Sequence, residues 1–166
     1  MCDKFILKSE FAAIKYMIPM LNEVLKQLYT RDLDRLKSEV ELYRDEAALW
    51  KTSGEISNSA GNLCLHVVGN LRHFFGAVLG ESGYVRDRDA EFSSKELPRT
   101  TLILGIEAAL ADVSATLDRL AAEDFEKTYP LEVFGHPMTT GYFLVHLATH
   151  LNYHLGQINY HRRLLA

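Results

Sequence analysis

Three histidines spaced four apart, His146, His150 and His154 in HLATHLNYHLGQ, stand in an otherwise apolar stretch near the end of a 166-residue chain. Four of the seven histidines fall at or after position 146. At about 100° per residue, a step of four drifts only about 40° around a helix, so all three imidazoles leave one face. Imidazole is the commonest metal-ligating side chain, and the chemistry this pattern suggests is the binding of a divalent ion.

Geometry limits how many of the three can share one ion. Each step of four climbs about 6 Å, which places His146 and His154 about 12 Å apart at Cα. Metal–imidazole bonds are about 2.0–2.1 Å long. One adjacent pair can chelate; the outer two cannot do so together. A third ligand must come from elsewhere, and His66 and His73 in CLHVVGNLRHFFG are the candidates. The competing reading is structural: a single buried histidine more commonly bonds a carbonyl or water, and one HxxxH arises by chance. Two overlapping pairs with more histidine on a second helix are harder to dismiss, and spacing alone leaves the metal and structural readings evenly balanced.

These residues need helices to position them. Apolar residues recur at spacings of three and four, and alternating β-branched runs are nearly absent, so the chain reads as all-α. A first helix is expected over Lys15 to Glu46, interrupted near Pro19, with Leu21, Val24, Leu25, Leu28, Leu33 and Leu36 as its stripe. Its charges from Arg31 to Asp45 read as a solvated face. The polar stretch Lys51 to Ser59 reads as a loop whose serine or asparagine caps a second helix over Ala60 to Leu79. A third helix is expected over Thr100 to Glu123. The last, capped by Thr139 or Thr140, continues to Arg163.

The intervening segments differ in kind. Gly80 to Pro98 shows no periodicity and is long for a connection, a length often associated with function. Phe125 to Thr139, with Pro130, Gly135 and Pro137, reads as a loop or small hairpin. Four main helices give an antiparallel four-helix bundle, residues 1–166 forming one domain, and its sites are built from facing helices. The second and last helices must then be neighbours. Gly156 is read as a close helix contact.

Composition narrows the function. Eighteen Lys plus Arg against 22 Asp plus Glu give a net charge of -4, without the basic patch of a nucleic-acid partner. Cys2 and Cys64 form no CxxC pair. No secretory signal or bilayer-length apolar run is read from the sequence, so a cytoplasmic protein without a membrane partner is expected. A di-iron bundle would use repeated ExxH, and no histidine here follows a Glu by three. Zinc, nickel or iron would each accept imidazole.

The last helix, with HLATHLNYHLGQINY, resembles the DinB-like (DinB/YfiT) superfamily of four-helix metal-dependent enzymes, in which an HxxxH ends just before GQ. NSAGNLCLHVVGNLRHF is similar to that superfamily's first histidine-bearing helix, and RDRDAEF to the segment following it in one branch. The resemblance implies His66, His150 and His154 as the metal triad, with His146 facing the same cavity one turn earlier as a proton shuttle, a substrate contact or a histidine held by its neighbours. Leu155 stands where members often carry a basic residue.

Asn70 and Gln157 are candidates to orient ligands, and Arg86 and Arg88 to bind a substrate carboxylate, although the interleaved Asp87 and Asp89 favour mutual neutralisation. His73, His136 and His161 are left as surface or core histidines. Similar proteins include thiol-dependent transferases and isomerases, so the resemblance implies a low-molecular-weight thiol as a partner and a homodimer as the assembly. Hydrolysis is open to the same site. The alternative is a non-catalytic metal-binding or dimeric interaction protein.

Overall fold

The computed structural model describes the backbone of residues 3–166 and side chains from Leu21 onward. Among the described residues there are five α-helices: α1 (Asp3–Glu41), α2 (Ala60–Leu71), α3 (Arg88–Ser93), α4 (Arg99–Arg119) and α5 (Thr140–Leu165). Short 3-10 turns cover Glu46–Trp50 and Ala122–Phe125. The expected interruption near Pro19 lies outside the residues whose side chains are described.

Capping chemistry sets the helix starts. Ser59 Oγ accepts from Asn62 N, Asp87 Oδ1 from Ala90 N, and Thr139 Oγ1 from Tyr142 N, so an orphan amide is satisfied at each first turn. Beyond Leu71, α2 continues as π-helical turns over Arg72–Leu79. Hydroxyls from other elements anchor this segment: Tyr129 donates to Phe74 O and Thr116 to Phe75 O.

Helix α1 packs on α4 and α5, and α2 packs on the same two, so α1 and α2 occupy opposite corners of a four-helix bundle. The ion pairs Lys26–Asp118 and Lys37–Glu107 run in opposite sequence directions, making α1 antiparallel to α4. His66 against His150 and Phe74 against Phe143 do the same for α2 and α5. The neighbourhood of α2 and α5 that the histidines require is present. Buried apolar side chains from all four helices form one contiguous cluster, with Tyr29, Leu33, Leu36, Phe75 and Phe143 at its centre.

Several details depart from the sequence reading. Val24 faces out and Tyr29 faces in, its hydroxyl donating to Leu144 O at 2.6 Å. The charge run on α1 is only partly solvated. Buried Asp32 accepts from Arg31 and Asn152, and Glu39 accepts from Asn159 and Arg162, so these acids tie α1 to α5. Gly156 makes no close helix contact; a Cβ there would meet nothing within 4 Å. The segment 80–98 hides α3, too short at six residues to show a period. The segment 125–139 is a loop closed by a single antiparallel bridge, Thr128 to Thr139.

Helix α4 corrects another expectation. Its 21 residues are long and apolar enough by composition to cross a membrane. In the fold, its apolar stripe of Leu102, Ile106, Val113 and Leu117 is buried against the bundle. Its acids pair sideways, Glu107 with Lys37 and Asp112 with Arg72.

Candidate metal centre

The facing turns of α2 and α5 bring three imidazoles together. His66 Nε2 lies 3.4 Å from His150 Nε2, which lies 3.1 Å from His154 Nε2. Three donor atoms, one from each ring, lie within 4.8 Å of one another. Around one ion with bonds of about 2.1 Å, nitrogens at tetrahedral or octahedral angles stand about 3.0–3.4 Å apart. The two short spacings match that range.

The outer nitrogens fix the tautomers. Glu91 Oε2 is 2.9 Å from His66 Nδ1, and a carboxylate only accepts, so His66 Nδ1 carries the proton. Gln157 Oε1 stands 2.7 Å from His154 Nδ1 and does the same for that ring. Lone pairs on both Nε2 atoms therefore converge on His150, whose single Nε2 proton could satisfy only one of them. A cation would satisfy all three, and the donor chemistry fits a divalent ion.

Burial and mutual repulsion disfavour the charged forms of His150 and His154. Desolvation, helped by the positive charge that His154, His66, His146 and Arg86 would add nearby, pushes the His150 pKa down to about 4. His154 is also lowered, by burial first, against the opposing hydrogen bond to Gln157. Burial alone would raise the Glu91 pKa. Hydrogen bonds from His66 and Arg86 outweigh it and hold the carboxyl below its ordinary range.

Glu91 was not legible as a site residue. It comes from α3, which lies along α2 and is clamped there by Asn62, whose Nδ2 donates to Glu91 O at 3.0 Å and Ser94 O at 2.8 Å. The carboxylate rests over Gly69, where any Cβ would collide with it. Arg86 closes the arrangement as a fork, Nε to Oε1 at 2.7 Å and Nη2 to Oε2 at 2.9 Å. Arg86 is indeed neutralised, but by Glu91 and not by the adjacent aspartates.

The other candidates separate. His146 is not in the triad; its ring stacks on Phe143 at 6.0 Å and meets the edge of Phe134 at 4.8 Å. Asn70 makes no hydrogen bond to the triad, contrary to the orienting role considered for it. With His66, His146 and His150 it lines a cleft of about 420 Å³ between α2, α5 and the 125–139 loop. A second groove of about 590 Å³ reaches His154 and Gln157 from the opposite side. His161 is a buried structural residue, Nε2 donating to Lys51 O and Nδ1 accepting from Tyr43 Oη, both at 2.8 Å. His73 packs against Phe74, and exposed His136 bonds Phe134 O.

Residues 12–166 match the family model described as "Protein of unknown function (DUF1572)". The chain belongs to the DUF1572 family. DUF1572 is DinB-like, in agreement with the resemblance carried by the two histidine-bearing helices. A crystal structure of a DinB-like protein from Bacillus cereus ATCC 10987 is similar to this DUF1572 chain, with a TM-score of 0.66 and 19% sequence identity. The match covers 86% of this chain and 91% of that one, which shows a shared all-helical DinB-like fold. No curated protein matches the sequence.

Proposed function

We propose that this protein is a divalent-metal-dependent enzyme acting on a small molecule, with the ion held by His66, His150 and His154 and a low-molecular-weight thiol as the nucleophile delivered to an electrophilic substrate. The observation that carries the reading is the convergence of three imidazoles beside an open cleft, with the Nδ1 atoms of two of them held from behind. A bound ion would lower the pKa of a coordinated thiol, or of water if the reaction is hydrolysis.

The chain's own groups have distinct tasks in this reading. Glu91 holds the His66 ring by its Nδ1 proton, and Arg86 keeps Glu91 ionised. Gln157 holds His154 in the same way. His146, whose ring nitrogens have no hydrogen-bond partner among the described residues, stands in the cleft as the group able to take or return a proton. Phe74, Phe134 and Phe143 give that cleft apolar walls that limit water.

The test is elemental analysis of protein purified without an affinity tag, followed by assay of the loaded protein with small thiols and electrophiles. About one ion per chain, lost in His154→Ala, together with metal-dependent thiol consumption, is the expected result. Protein that stays empty after incubation with zinc, nickel and iron would overturn the metal assignment. A loaded protein that consumes neither thiol nor hydrolysable substrate would favour a non-catalytic metal-binding role.

A further inference from the structure

The cleft beside His146 selects its occupant by charge, by an unmet hydrogen-bonding group and by shape. Among the described residues, no carboxylate lines it. Arg86 at its inner wall is matched by Glu91, whereas Arg88 at its rim has no carboxylate partner among the described residues. The cleft is left with one cationic charge in excess even before any ion is counted.

Asn70 supplies the second criterion. It is 8% exposed, its side chain has no hydrogen-bond partner among the described residues, and its Oδ1 is fully buried. Buried polar groups are almost always paired. Asn70 lines the cleft, and with Oδ1 shut off from solvent the end of the carboxamide left to meet an occupant is the Nδ2 donor. A hydroxyl oxygen, which can accept, suits that donor. The third criterion is the wall of Phe74, Phe134 and Phe143, which fits a flat apolar body.

We propose that this cleft binds a small aromatic hydroxycarboxylate, with its carboxylate on the Arg88 guanidinium, its hydroxyl on the Asn70 carboxamide and its ring against the three phenylalanines. The planar guanidinium fork matches a carboxylate with two parallel hydrogen bonds. This names the substrate class of the centre proposed above and rests on that reading for its catalytic meaning, but not for binding itself.

The experiment is a titration of 4-hydroxybenzoate into isotope-labelled full-length protein, metal-free and zinc-loaded, followed by backbone amide shifts. Benzoate and 4-hydroxybenzamide serve as probes lacking the hydroxyl and the charge. Saturable shifts around Asn70, Arg88 and Phe143 are expected. Arg88→Gln should weaken 4-hydroxybenzoate at least tenfold while leaving 4-hydroxybenzamide unchanged, and Asn70→Leu should erase the preference for 4-hydroxybenzoate over benzoate. Absence of saturable shifts with and without zinc, or an affinity that Arg88→Gln leaves intact, overturns the proposal. Zinc binding without carboxylate binding sinks this inference alone. Arg88-dependent carboxylate binding in a protein that takes up no zinc sinks only the metal reading.

Discussion

Glu91 Oε2 lies 2.9 Å from His66 Nδ1 while Oε1 of the same carboxylate lies 2.7 Å from Arg86 Nε. The first histidine of the triad is thus held from outside the bundle, by a helix that contributes no ligand of its own. Glu91→Gln keeps the volume but leaves the Arg86 charge unmatched. It should weaken zinc binding about 10–100-fold, as loss of a group behind a ligating histidine commonly does. Because Arg86 and Glu91 are nearly buried, it should also cost about 3 kcal/mol of stability. Competition with a chromophoric chelator and urea denaturation would read the two effects. The pair Arg86→Met/Glu91→Leu should restore much of the stability without the affinity, a split that a purely structural role would not produce.

Within the triad, His150→Ala and His154→Ala should each abolish stoichiometric metal uptake, whereas His146→Ala should leave it near the wild-type level. Equal loss from all three, measured by elemental mass spectrometry, would contradict the placement of His146 outside the cluster.

Two glycines make opposite predictions. Gly69→Ala would push its Cβ into the Glu91 carboxylate and should mimic loss of that residue. Gly156→Ala adds a methyl to open space on an exposed helix surface and should stabilise the protein by about 0.5–1 kcal/mol. Thermal melts of the two variants should move in opposite directions.

Acid should destabilise the metal-free protein in a defined window. His150 has a folded pKa of about 4, below the ordinary value of about 6.5, so between these limits the unfolded chain binds a proton that the native ring refuses. Native stability therefore falls as pH drops from about 6.5 towards 4. The lowered pKa of His154 acts in the same sense. Denaturant midpoints at pH 7 and pH 5 should show a drop that is smaller in His150→Ala, and an equal drop in both proteins would refute the assignment.

The helical class and its four long elements were legible because 3.6-residue periodicity survives over many turns, and Ser59 and Thr139 marked two starts through their side-chain chemistry. Spacing alone excluded joint ligation by His146 and His154 but left the third ligand open between His66 and His73; family resemblance suggested His66, and the structure brings it to the pair. Glu91 escaped because its significance depends on how α3 docks, and six residues carry too little period to announce a helix. The local signs were Asp87, the residue that caps it, and the RDRDAEF segment, whose resemblance gave Glu91 no role of its own. Asp32 and Glu39 looked like solvent charges because their partners Asn152, Asn159 and Arg162 lie more than a hundred positions away. Gly156 offered no sequence clue to separate a packing glycine from an idle one.

The contact between His66 and His150 spans 84 positions. Under the proposed assignment, an ion shared by those rings would act as a reversible cross-link closing about half of the chain into a loop. Closure removes configurational freedom mainly from the unfolded chain, by an amount that grows slowly with loop length. The imidazoles come together only once α2 and α5 have docked, so the bound ion would be a ledger of completed folding: chains that had not closed the bundle could not retain it.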